Sequence, residues 1–344
     1  MELGSIDGGR RFAQAASHEP ERVAGLSMAV VDVIVVTWNA SGLIDGVLDA
    51  LDRQTFVPRQ VLVVDNGSAD AAALRAIVAR HPRCRLLALA GNTGFAAANN
   101  TGIAQCAGAD FIALLNPDAF PEPGWLEALL RAAHAYPDCG SFASRMLDYH
   151  DDRRLDGTGD MLTLSGKPWR RGCGKPASGQ FTQPEQVFAA CAAAALYVKA
   201  DLDACGGFDE SFFCYVEDVD LGFRLQLAGR PCRYVPDAVV RHMGSALTGR
   251  RSDFSVYYGQ RNLVLNYVKN MPLALLVALL PVHLIMNLAY LIGGTLLGRG
   301  AVMWRAKRDA ARMLPQALRA RRLIQAGRRV SSIEIWRLLT LWTR

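Results

Sequence analysis

Three carboxylates stand within four consecutive positions of this chain, Glu217, Asp218 and Asp220, on the edge of the apolar segment FFCYVEDVDLGFRLQLAG. Such a run is costly to bury unless a cation or a reacting proton uses it. Leu221, Phe223, Leu225 and Leu227 continue in a helix-like pattern, so the acids fall near a helix N-terminus, where the macrodipole favours negative charge. An ordinary acidic first turn accounts for this stretch equally well when it is taken alone. A second carboxylate of interest is Asp118, which follows the apolar run FIALL in Asn116-Pro117-Asp118. An acid at a strand end is well placed to hold a hard cation through oxygen, and an Asn-Pro-Asp turn is the competing account.

The elements that must position these groups are legible upstream. VVDVIVVTWN, from Val30 to Asn39, is a nearly unbroken β-branched run that ends in polar residues, the pattern of a buried strand. Leu43, Ile44, Val47, Leu48 and Leu51 follow at helical spacing, and Gln60 to Val64 is a second buried strand ending in DNGSAD. Strand, helix and strand predict a right-handed crossover and a parallel sheet. In such sheets ligands bind beyond the carboxyl ends of the strands, where Thr37-Trp38-Asn39 and Asp65-Asn66-Gly67-Ser68 fall. Turn chemistry alone also explains DNGS. A third unit, Cys84 to Leu89, has the tip GNTGF and a helix AAANNTGIAQ, and FIALL is the fourth strand. Tips rich in Asp, Asn and Gly, without GxGxxG or GxxxxGK[ST], exclude the dinucleotide fingerprint and the P-loop.

In order, VIVVTWNAS, VLVVDNGSAD, GNTGFAAANN, LLNPDA, GGFDESFFCYVEDVDLGFRLQLAG and VVRHMGS resemble the inverting family 2 glycosyltransferases of the GT-A fold. Within that family the set looks most like bacterial rhamnosyltransferases of polysaccharide assembly. The resemblance runs from about Val31 to the C-terminus and implies an α/β fold, a mostly parallel central sheet flanked by helices. It implies that Asp65 contacts the base or ribose of a nucleotide-diphospho-sugar donor, with Thr37, Asn39, Asn66 and Asn116 in the same pocket. Asn92, Gly94, Phe95 and Asn99 match the loop and helix beside the nucleotide. Asp118 matches the last acid of the DxD metal motif, His242 a histidine that reaches the metal or diphosphate, and Asp218 the catalytic base. The implied cofactor is a divalent cation, Mg²⁺ or Mn²⁺. Two departures stand out: Asn116 replaces the first acid of DxD, and Cys191-Ala192-Ala193 replaces a small Gly-Ala pair near the expected sugar pocket.

The implied chemistry suits these residue types. A leaving diphosphate gains negative charge that a cation at Asp118 would stabilise, and an acceptor hydroxyl needs a base, the role of Asp218. Glu217 is expected to raise the proton affinity of Asp218 by like-charge repulsion, and Asp220 to cap the helix or pair with Arg224. Tyr149 to Gln186, rich in Gly, Pro and Arg, reads as a structureless insert, either a functional loop or disordered. In it Trp169, with Arg170 and Arg171, is a candidate to stack on a sugar or hold a lipid diphosphate; a surface lid is the alternative.

At 344 residues and 51% hydrophobic content the chain accommodates one large α/β domain and an appendage. The division expected is an extension 1–27 that is disordered, a GT-A domain 28–265, and an apolar and basic helical region 266–344. From Arg299 onward twelve Lys and Arg face Asp309 and Glu334, a net +10 against +6 for the whole chain, so the rest carries about −4. A basic tail without a reader module points to an anionic membrane surface and not to nucleic acid. Pro272 to Gly298 is long enough to cross a bilayer, yet Pro281, His283 and Asn287 interrupt it and a basic segment follows. A helical hairpin or in-plane helices at the cytoplasmic face of the bacterial inner membrane is the favoured reading, over a single span or a buried helical pair. The eight cysteines show no CxxC spacing, which fits a reducing compartment. The expected partners are a nucleotide-sugar donor and a lipid-linked or polysaccharide acceptor; an inactive sugar-nucleotide-binding or scaffold protein of the same fold is the alternative.

Overall fold

The computed structural model describes residues 28–244 and 252–341; the extension expected over 1–27 lies outside them. Four parallel strands form the first half of the main sheet, in the order β4 (Phe111–Leu115), β1 (Val31–Thr37), β2 (Gln60–Asp65) and β3 (Cys84–Ala88). Every residue of β1 is buried because helices cover both faces. Val31, Val33 and Val35 pack toward α1 (Ser41–Asp52), α2 (Ala71–Val78) and α4 (Trp125–Ala135), while Ile34 and Val36 pack toward α3 (Phe95–Ala104) and α6 (Glu217–Leu227). Each fully buried Val or Ile contributes about 1.5–3 kcal/mol, which fixes the register of this run. Its one acid, Asp32, is buried against Arg59, whose Nε donates to Oδ1 at 2.8 Å.

The second half of the sheet is mixed. β11 (Ala194–Val198) runs antiparallel between β4 and β6 (Ser141–Asp148), and β12 (Cys232–His242) runs parallel to β6. β5 (Ala119–Pro121) and β10 (Glu185–Val187) pair with β12, and β7 (Leu155–Gly157) with β6; α5 (Lys199–Ala204) follows β11. This arrangement brings the end of β12, with His242, beside the tip of β4, with Asp118, since His242 pairs with Ala119.

The region expected as a structureless insert is folded. Beyond β7 it forms the hairpin β8 (Asp160–Thr163) and β9 (Pro168–Arg170), which β13 (Leu339–Thr340) extends from the far end of the chain. Leu162 is buried among Phe188, Phe223, Tyr267 and Ile335. The apolar partners that order the hairpin therefore come from segments remote in sequence, and no local pattern announces them.

Helix α7 (Asp253–Asn270) opens on a Ser252 cap and runs through position 265, so the division expected there falls inside an element. It leads into α8 (Leu273–Leu296), α9 (Gly300–Ala326) and α10 (Ser332–Leu338). Helices α8 and α9 are antiparallel: Lys307 bonds Asn287, and Met303 packs on Gly294. The polar face of α8 is docked on the protein, where the His283 ring stacks on Tyr267 at 3.8 Å and its Nδ1 meets the Ser165 carbonyl at 2.8 Å. The opposite face leaves Val277, Leu284, Ile285, Leu288 and Ile292 exposed.

Candidate active site

The strand tips, the β8–β9 hairpin and the start of α6 enclose a cleft of about 720 Å³. Of the residues expected to meet a nucleotide, Thr37, Asn66, Asn92, Gly94, Phe95 and Asn116 line it. Thr37 is 1% exposed and its buried hydroxyl has no partner among the described residues. Asn66 and Asn92 shape the loop before α3: the Asn66 amide donates to Asn92 Oδ1 at 3.1 Å, and Asn92 Oδ1 accepts from the Gly94 N–H at 3.0 Å. Gly94, at φ +90°, lies so close to Phe213 that a Cβ would sit 2.6 Å from the ring. No other residue fits that contact.

Asn39, Asp65 and Asn99 do not reach the cleft wall; their side chains are committed to the loops behind it. Asn39 Oδ1 accepts from the Ala69 N–H at 2.7 Å, Asp65 Oδ1 from the Ser68 N–H at 2.9 Å, and the Asn99 amide bonds the Phe95 carbonyl one turn back at 2.9 Å. Short polar side chains bond nearby backbone readily, which is why tip residues identified by type can belong to the turn and not to its ligand.

Asp118 and His242 face each other at one end of the cleft, with His242 Nε2 3.4 Å from Asp118 Oδ1. The other ring nitrogen is 2.8 Å from Asp156 Oδ2. Nε2 is buried and makes no well-formed hydrogen bond among the described residues, while Nδ1 is oriented by a carboxylate, the arrangement that prepares an imidazole for a metal. Burial acts to lower the proton affinity of His242, but the carboxylates of Asp118 and Asp156 outweigh it and the net shift is upward. Arg170, from β9, bonds Asp156 at 2.6 Å and the Cys191 thiol at 3.0 Å. Arg170 and Cys191 thus line the cleft beside Trp169, in the regions expected near a sugar, while Asp156 and Asp160 are cleft residues that no motif singled out; their sole sequence signal was the pair of acids in DGTGD.

Asp218 lines the cleft, and both its oxygens accept backbone hydrogen bonds, from Val219 at 2.8 Å and Ala192 at 3.2 Å. Burial raises its proton affinity above that of an ordinary aspartate, against the lowering effect of those donors. The like-charge repulsion between Glu217 and Asp218 acts on both, and Glu217 is held well above its usual range, first by burial and then by the charge of Asp218. The reason is position, since Glu217 is 6% exposed and one of its oxygens has no partner among the described residues. A carboxyl raised in the folded state contributes full stability below its unfolded value, and stability is lost as pH rises toward the folded value. Glu217→Gln is therefore expected to melt with the wild type near pH 4.5 and above it at pH 7.5, where the wild type must ionise a carboxyl that the fold holds protonated. Calorimetric scans at the two pH values check this; equal melting at both would mean that Glu217 ionises freely.

Asp220 stands apart from the cleft. It is fully buried between Arg224 Nε at 2.9 Å, Lys269 Nζ at 2.6 Å and the Asn270 amide at 2.7 Å, so the expected pairing with Arg224 is present and α7 shares it. Trp169 lines the cleft with its ring while its indole N–H donates to Thr340 Oγ1 of β13 at 3.1 Å.

The family model for glycosyl transferase family 2 matches residues 32–204, half of the sequence. The chain belongs to glycosyl transferase family 2. The glycosyltransferase is 34% identical to the N-acetylglucosaminyl-diphospho-decaprenol L-rhamnosyltransferase of Mycobacterium tuberculosis over 241 residues, 64% of this chain and 78% of the relative. It is 32% identical to the pre-mycofactocin glycosyltransferase of the same species over 234 residues, 68% of this chain and 47% of the relative. Among solved structures, GalNAc-T7 with UDP, GalNAc and Mn²⁺ superposes with a TM-score of 0.56 at 12% identity, covering 77% of this chain and 57% of that one. The mannosyltransferase PcManGT of Pyrobaculum calidifontis, in complex with GDP-Man and Mn²⁺, gives 0.50 at 19% identity, covering 92% and 97%. The fold of this glycosyltransferase is GT-A, as the sequence motifs implied.

Proposed function

We propose that this glycosyltransferase moves rhamnose, with inversion, from dTDP-rhamnose to a hydroxyl of a lipid-linked glycan acceptor, as a step of cell-surface polysaccharide assembly at the cytoplasmic face of the inner membrane. The observation that carries the reading is one cleft that holds both chemistries: Asp118 with His242 at one part of the wall and Asp218 at another. The rhamnosyltransferase relative, named for a diphospho-decaprenol-linked sugar, supplies the donor and acceptor class.

Thr37, Asn66, Asn92 and Asn116 are the donor-side polar groups of the wall. Asp118 and His242 Nε2 would hold a divalent cation, Mg²⁺ or Mn²⁺, whose contribution when bound is to offset charge on the departing diphosphate. Asp218 would take the proton of the acceptor hydroxyl, and its raised affinity brings it nearer to working pH than a solvated aspartate. With attack in line from the base side, no covalent sugar intermediate is required.

The membrane part of the proposal rests on α8, 24 residues with an 18-residue stretch of mean hydropathy 2.2, whose polar residues His283 and Asn287 are docked on the protein. A helix tied in this way suits burial of one face in the lipid interface better than a crossing. Helix α9 adds the exposed Trp304.

One experiment tests donor and location together. Membranes from expressing cells, given labelled dTDP-rhamnose, UDP-sugars and GDP-sugars in turn, are expected to incorporate rhamnose into the lipid-extractable fraction. Full-length protein with Ile285→Glu and Leu288→Glu is expected to shift to the soluble fraction. Incorporation from another donor only would overturn the rhamnose assignment. Unchanged sedimentation of the double variant would remove α8 from membrane binding.

A further inference from the structure

The loop from Phe212 to Glu217, which delivers Asp218 to the cleft, has a backbone that ordinary residues avoid. Phe213 has φ +65° and ψ −64°, and the Cys214 N–H bonds the Phe212 carbonyl at 2.7 Å, a γ-turn of the strained hand. Tyr215 follows at φ +68° and Val216, β-branched, at φ +70°. None of the three is glycine. Non-glycine residues hold such angles only where the surroundings over-determine them, so the restraint must be identifiable.

It comes from two adjacent residues of α7. Asn262, fully buried, points its amide at three carbonyls of the loop: Phe212 at 2.9 Å, Cys214 at 3.0 Å and Tyr215 at 2.7 Å. An amide has two hydrogens, so one is shared between two acceptors, and a single side chain pins the turn at both ends. Its orientation is set in turn by Arg261, whose Nε donates to Asn262 Oδ1 at 2.9 Å. The same guanidinium donates to the carbonyls of Ser211 at 2.7 Å and Phe212 at 2.8 Å and lies over the Tyr258 ring. On the opposite side the loop rests on Gly94, and the Ala96 N–H bonds the Phe213 carbonyl at 3.2 Å.

We infer that Arg261 and Asn262 are positioning residues for transfer: by holding the strained 212–216 loop against the donor-side helix α3, they set where Asp218 stands relative to the donor. The inference rests on the reading of Asp218 as the base. Strain held at this place keeps the loop from relaxing into a conformation that would rotate the first turn of α6 and move the carboxylate. Neither residue lines the cleft, so neither is assigned a contact with substrate.

The test uses the full-length membrane protein and counts turnover per donor-binding site, the number of sites taken from calorimetric titration with the nucleotide sugar. Asn262→Ala is expected to lower turnover per site about 30- to 100-fold while donor affinity stays within threefold. Asn262→Asp keeps the size of the side chain but turns an acceptor toward three carbonyls, and is expected to fall at least as far. A role in packing alone predicts the reverse order. If neither variant yields donor-binding protein, Arg261→Lys carries the test, since an ammonium cannot reproduce the planar set of donors, with an expected fall of about tenfold. Turnover per site within threefold of wild type in the variants that bind donor would overturn the inference. Asp218→Asn, measured in parallel, separates the two levels. If it abolishes transfer while the α7 variants do not, only the positioning role fails; if it leaves transfer intact, the reading of the base fails.

Discussion

Asp218→Asn is expected to lower transfer by about 10²- to 10⁴-fold, the range a positioned general base supplies, while leaving donor binding nearly unchanged. The asymmetry follows from where the carboxylate sits. Its oxygens accept from the Val219 and Ala192 N–H groups, so an amide of the same shape keeps one of these bonds through its oxygen and turns its NH₂ toward the other donor, a loss confined to this part of the wall. The donor-side residues Thr37, Asn66 and Asn92 belong to other elements and keep their places. Stopped-time assays of sugar incorporation, with nucleotide-sugar titration in parallel, measure both quantities. Transfer within tenfold of wild type would mean that another group takes the proton, and Asp160, in the same cleft and raised to about 7 chiefly by burial, is the next candidate.

Asp118→Ala is expected to cost about 10²- to 10³-fold in transfer and to remove the dependence of donor affinity on added Mg²⁺ or Mn²⁺. With Asn116 in place of an acid, Asp118 is the one carboxylate of that strand tip, and its close partner of metal-binding type is His242 at 3.4 Å. The histidine remains held by Asp156 when Asp118 is removed, so the variant is expected to fold and to bind nucleotide without the cation. Calorimetric titration of the nucleotide with and without Mn²⁺ checks the point. A metal-stimulated affinity equal to wild type would place the cation elsewhere in the cleft.

The parallel half of the sheet was legible because its strands are short apolar runs, β-branched in β1 and β2, separated by helical patterns that imply crossovers. Polar tips then mark the ligand edge by topology alone, and Asp118 and Asp218 were identifiable there by type and place. Which tip residues face a ligand was not legible. Asn39, Asp65 and Asn99 have the same character as Asn66 and Asn92, all five bond nearby chain, and only the packing that puts Asn66 and Asn92 at the cleft wall separates the two sets.

By itself the sequence determined the α/β class, the succession of the first four strands along the chain and, through its motifs, the family, since these depend on periodicity and residue type along one stretch of chain. Tertiary structure alone decided the rest. It placed Asp156 and Arg170 beside His242, folded the Gly-rich insert under β13, and set Asn262 beneath the loop that leads to Asp218. Those are contacts between residues 14 to 178 positions apart. Their strength comes from burial and hydrogen-bond direction, which exist only once distant segments have packed.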